Sequence, residues 1–262
     1  MPQIIETNVF GRRDASPAGR LIDVTLFVSH FCAERFAAVE KMELVPPRYR
    51  VLYNPVDTDL FGTLTPKPEE RDYGRPVFGR VSRADPGKWS VIALESLLYV
   101  REVVPNFVFL VIGGTDEARD FVARHDLGRN VRFLPPVASD ADLAAFFNSL
   151  SFSTHANDTG ESFGLVIAEA MAAGLPVITH PCPGLKDNAQ LELVRDAETG
   201  LIAEGAEAYA RAIARLLRDP ELCRSLGAAG QERARKLFRV QDIVRRLESV
   251  YEEALGMAEG MI

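Results

Sequence analysis

The chain is short of the features that mark staples, metal sites and membranes. Only three cysteines occur in 262 residues, Cys32, Cys182 and Cys223. An odd number without metal or redox spacing fits a reducing compartment better than a disulfide scaffold, so a cytoplasmic setting is expected. The four histidines, His30, His125, His155 and His180, have no metal-ligand spacing. No Asp-any-Asp pair stands at a strand end, so no metal site is expected. The opening Met1-Pro2-Gln3 leads into an apolar stretch broken by Glu6 and Asn8, which reads as neither a signal peptide nor a membrane span. Positive charge is scarce too: 30 Lys plus Arg against 37 Asp plus Glu give a net charge of −7. A balance of that sign offers no general attraction to nucleic acid or to an anionic membrane.

What is present is ordinary globular material, 47% hydrophobic and 26% charged, enough for a sizeable core. From Pro76 onward, short β-branched runs at 77–82, 107–112, 131–134, 150–154, 177–179 and 201–203 alternate with helix-length amphipathic stretches. That alternation predicts an α/β fold with a Rossmann-like, doubly wound parallel sheet. Before Pro76 the pattern predicts strands at 4–9 and 24–28 and a helix over 31–41, too little to close a core alone. The Pro-rich, charged stretch 63–74 reads as a surface loop or linker. The expected organisation is an N-terminal piece over 1–60, a main domain over 61–239 and a terminal helix over 240–262.

Residues 158–177 carry the strongest local signal. A strand end passes through a glycine loop into a helix, which stops at Gly174 before Pro176 and Val177 open the next strand. In an open parallel sheet ligands bind beyond the carboxyl ends of the strands, where this loop falls. Free amides around Gly164, Leu165 and Val166, with the positive end of the helix dipole, suit a diphosphate. Glu161 precedes the helix and Glu169 follows eight residues on, so their backbones differ by roughly 12 Å along the axis. That is near the length of a sugar, a diphosphate and a ribose in a row. Glu161 is therefore a candidate for sugar hydroxyls and Glu169 for ribose hydroxyls, although each also suits a plain helix-end role. After the first main strand, Gly79, Arg80, Arg83 and Lys88 form a basic loop fit to meet leaving-group charge. His155, at a predicted strand end, is placed to touch a donor or to order the loop. The run 131–136, with Phe133, ends in a Pro-Pro turn where backbone groups could read a nucleobase.

Gly79-Arg80 with the downstream Lys88, Val111-Ile112-Gly113-Gly114, residues 130–134, the Glu161 to Glu169 element, residues 199–202 and residues 54–61 together resemble glycosyltransferase family 4. The resemblance covers nearly the whole chain. It implies a GT-B fold, mostly its donor-binding half, and a retaining transfer from a nucleoside-diphosphate sugar with no cofactor and no metal. It assigns the donor to Glu161, Glu169, Phe163, Gly164, Leu165, Arg80 and Lys88. Two departures stand out. The family usually sets its Lys about six residues after the Arg, whereas Lys88 follows Arg80 by eight and Arg83 by five, so Arg83 shares the claim. Family members also begin with a complete acceptor-binding domain, and this sequence matches only that domain's end. A separate acceptor domain or self-association is therefore expected, and the acceptor itself, glycan, lipid or small molecule, is left open. A non-catalytic nucleotide-sugar-binding subunit and another GT-B enzyme, such as a sugar-nucleotide epimerase or a phosphorylase, also fit these residues.

Overall fold

The computed structural model describes residues 3–184 and 186–259. The N-terminal piece forms a parallel sheet of β1 (Ile5–Asn8), β2 (Val24–Phe27) and β3 (Tyr49–Val51), with β2 in the middle. Helix α1 (His30–Glu40) starts where the Ser29 hydroxyl accepts from the Cys32 amide, and it sets Phe36 against Phe27 with ring centres 5.1 Å apart. α2 (Thr58–Leu64) then leads into the main domain.

The main sheet is six parallel strands: β4 (Val77–Val81), β5 (Val108–Ile112), β6 (Val131–Leu134), β7 (Phe152–His155), β8 (Val177–Thr179) and β9 (Gly200–Ile202). Their order is β6-β5-β4-β7-β8-β9, the doubly wound arrangement. The chain reverses direction across the sheet between β4 and β7, so a crevice opens above their carboxyl ends. Phe78, Phe109 and Phe152 stack across β5, β4 and β7 at 4.8 and 5.1 Å and fix the centre of the sheet. Helices α3 (Val91–Val103), α4 (Asp116–Arg124) and α5 (Asp140–Asn148) begin at Ser90, Thr115 and Ser139, whose side chains accept from backbone amides. α6 (Leu165–Ala172) has only Gly164 at its start and no side-chain cap. α7 (Gln190–Leu193), α8 (Gly205–Arg218), α9 (Pro220–Phe238) and α10 (Val240–Glu259) complete the chain. α10 runs back to the N-terminal sheet, where Val250 is buried with Val24 and Leu26.

β3 and α2 were not expected, and the stretch 63–74, mostly exposed, is anchored by two buried side chains. Arg71 is buried, and its guanidinium donates to the carbonyls of Phe147 at 2.8 Å and Ala173 at 2.7 Å. Tyr73 donates to Gly174 O at 2.6 Å. The segment thus ties down the ends of α5 and α6, a task its polar composition conceals. Among the described residues, no helix is long and apolar enough to cross a membrane.

Candidate functional site

The crevice is shaped by the loop from β7 to α6. Gly160 adopts φ +72°, and a Cβ there would meet Asp187 O at 1.5 Å, so only glycine fits. Asn157 Oδ1 accepts from the Gly160 amide at 2.7 Å, while Gln190 Oε1 accepts from the Glu161 amide at 3.1 Å. Glu161 is thereby held from both sides before α6 begins. Gly164 is left-handed, with φ +98°. Among the described residues, the amides of Leu165 and Val166 have no protein acceptor, so they point their donors at the crevice with the dipole behind them.

Glu161 is the electrostatic centre. Its Oε1 meets Lys88 Nζ at 2.8 Å, Asn157 Nδ2 at 2.7 Å and His155 Nε2 at 3.0 Å; its Oε2 meets Lys88 Nζ at 3.0 Å. Burial alone pushes this carboxyl up, but the bonds and charges from His155 and Lys88 outweigh it and hold the pKa at about 2. Glu161 is thus fully ionised at neutral pH. Two lone pairs per oxygen leave Oε2 free to accept once more. Val81, Ser82, Arg83, Gly164, Leu165 and Val166 share this cleft with Lys88, His155 and Glu161.

Glu169 behaves in the opposite way. Half-buried on α6, it has no hydrogen-bond or ion-pair partner among the described residues. Burial, helped by Asp140, pushes its pKa up to about 7. Farther along the sheet edge the Arg119 guanidinium lies 4.3 Å over the Phe133 ring, and Gly114 leaves room for that ring, since a Cβ there would meet it at 2.2 Å.

Two expected site residues, Arg80 and Gly79, lie away from the cleft. Arg80 does not face the cleft: it is 1% exposed, donates to Ala156 O at 3.0 Å and lies 3.8 Å over the Trp89 ring. Strand alternation puts Arg80 on the same face of β4 as Phe78, where Trp89 packs, while Gly79 and Val81 face the core on the other side of the sheet. Arg83, beyond the strand, is exposed and lines the cleft. Gly79 serves packing rather than a ligand, since a Cβ would meet Leu110 O at 2.8 Å and Phe146 and Leu150 at 2.9 Å. The Phe163 side chain is in the core between Tyr53 and Phe238, and its backbone stands just before α6, where the helix-start amide role was expected of it. Asn157 and Gln190 escaped the sequence reading. Asn157 lies two residues past a strand end, which is the one signal it gives, and Gln190 gives none.

The family described as Glycosyl transferases group 1 matches residues 63–233. The chain is 30% identical over 264 residues to the D-inositol 3-phosphate glycosyltransferase of Acidothermus cellulolyticus, covering 94% of this chain and 57% of that one. It is 32% identical over 170 residues to the phosphatidyl-myo-inositol mannosyltransferase of Mycobacterium leprae, covering 64% and 44%. The chain therefore spans about half the length of the curated relatives it matches. Among solved structures, Anabaena Alr3699/HepE in complex with UDP and glucose superposes with a TM-score of 0.76 at 19% identity, over 96% of this chain and 72% of that one. That likeness is one of fold, an α/β architecture of GT-B type. Matched over most of its main domain, this chain belongs to the Glycosyl transferases group 1 family.

Proposed function

We propose that the chain forms the donor half of a retaining, metal-independent glycosyltransferase that takes a hexosyl group from a nucleoside-diphosphate sugar. The observation that carries this reading is the uncapped start of α6, whose free amides lie between an ionised Glu161 and an unpartnered Glu169. Glu161 Oε2 accepts from a sugar hydroxyl. The Leu165 and Val166 amides hold the diphosphate, and Glu169 accepts from the ribose diol with a charge-assisted bond. The base lies toward Phe133 and Gly114. As the bond from the anomeric carbon to the diphosphate breaks, Arg83 and Lys88 meet the charge that develops on the departing nucleoside diphosphate. The acceptor hydroxyl, from a glycan, lipid or small molecule held by an opposing domain, attacks from the same face and passes its proton to the departing phosphate oxygen.

A calorimetric panel of UDP, GDP and ADP sugars tests donor binding, and the anomeric configuration of the product from the whole enzyme tests retention. A free sugar epimer formed without acceptor would instead mark an epimerase.

A further inference from the structure

Three segments at the carboxyl ends of β4, β5 and β7 converge on one buried pair of side chains. From β4, Arg80 stacks on Trp89, its guanidinium carbon 3.8 Å from the ring centre. One terminal nitrogen donates to Ala156 O at 3.0 Å. The other donates to the carbonyl of Lys88 and to Ser82 Oγ. Trp89 extends the network, its Nε1 donating to Gly113 O at 3.0 Å. Each partner matters for the site. Lys88 carries the ammonium that meets Glu161, and Ala156 lies between His155 and Asn157, whose side chains both meet Glu161 Oε1. Gly113 begins the glycine pair beside Phe133.

No carboxylate is bonded to this guanidinium among the described residues, and its Nε has no acceptor. Burying a cation against neutral oxygens alone is costly, and packing by itself would be served better by an apolar side chain. We propose that the Arg80–Trp89 stack is the positioning element of the donor site. It sets the backbones that carry Lys88, His155 and Asn157 in one frame, and its unneutralised charge adds to the positive potential behind the diphosphate. The inference rests on the donor-site reading above. A planar guanidinium donates in fixed directions while lying flat on an indole; a lysine ammonium keeps the charge but loses both the fork and the stack.

The test uses the 262-residue chain and its single tryptophan, Trp89, as reporter. Affinities for UDP, GDP and ADP are measured by calorimetry for the wild type, Arg80→Lys and Trp89→Phe, with Trp89 emission followed in the first two. For the nucleotide that the wild type binds, Arg80→Lys weakens affinity by about tenfold or more at a temperature where the protein stays folded, the scale of one lost charged hydrogen bond. Quenching of Trp89 on binding diminishes in parallel. Trp89→Phe keeps a ring under Arg80 but frees Gly113, and it weakens affinity as well. A purely structural Arg80 gives a lower melting temperature with a wild-type Kd in the folded protein, which overturns the proposal while donor binding stands. Should Arg80→Lys fail to fold, an unchanged Kd in Trp89→Phe overturns it equally. A wild type that binds none of the three nucleotides overturns the donor reading and this inference together.

Discussion

The Lys88 ammonium lies 2.8 Å from Glu161 Oε1 and 3.0 Å from Oε2, although the two residues are 73 positions apart in sequence. The contact joins the loop after β4 to the loop after β7, the two strands that flank the switch point of the sheet. Because the pair neutralises itself, an arriving diphosphate needs a further cation. Arg83, exposed in the same cleft and without an acidic partner among the described residues, is the cation we propose for that role.

Arg83→Ala is expected to lower turnover of the whole enzyme by about a hundredfold while leaving the melting temperature unchanged, since it removes leaving-group stabilisation and no packing. Steady-state kinetics beside a thermal melt check both halves. Wild-type turnover in Arg83→Ala would remove Arg83 from the mechanism.

Glu169→Gln separates stability from binding. Its folded pKa of about 7 stands above the ordinary 4.5, so the folded protein holds the proton more tightly. Stability from this group is full below about pH 4.5 and is lost as pH rises through 7. Urea denaturation should therefore show Glu169→Gln gaining on the wild type between pH 5 and 8, roughly the window of that titration. The same variant loses nucleoside diphosphate affinity by about 1 to 3 kcal/mol. A variant no more stable at pH 8 than at pH 5, relative to wild type, contradicts the burial account.

Glu161 has the reverse sign. With its pKa depressed to about 2, it contributes stability above 4.5 that disappears as pH falls through 2. Glu161→Gln should flatten the acid limb of the stability curve measured by denaturant titration. An acid limb of unchanged steepness would show that His155 and Lys88 do not hold the carboxylate as described.

Glu192 ties the N-terminal piece to the main domain, accepting from the His30 and Phe31 amides at 3.2 Å each and from the Tyr53 hydroxyl. It adds a carboxylate to the start of α1, where negative charge is favoured. Glu192→Ala should cost about 1 to 2 kcal/mol of stability, read by chemical denaturation, with nucleotide affinity unchanged. A loss of affinity would mean that this contact also shapes the donor loop.

The six main strands were legible because buried parallel strands write β-branched runs, and the glycine loop before α6 was legible because helix starts have few spellings. β3 was not: three half-buried residues after Pro46-Pro47 carry too little pattern to stand out. Arg71 and Tyr73 look like loop residues in sequence and become buried ties only when α5 and α6 come together. In the site, His155 could be placed at a strand end and Lys88 and Glu161 in the loops that follow strands, whereas Gln190 reaches Glu161 from 29 residues away and leaves no local trace. Arg80 gives the opposite case: its charge suggested a phosphate contact, whereas its burial against Trp89 depends on a residue nine positions on and could not be read from the strand alone.

The most direct test of the donor site is a calorimetric titration of the folded 262-residue chain with UDP, GDP and ADP and their sugars, run beside Glu169→Gln. The account predicts one-to-one binding of at least one nucleoside diphosphate, weakened by about tenfold to a hundredfold in Glu169→Gln. A folded chain that binds none of them, or binds one with the same affinity after Glu169→Gln, would contradict it.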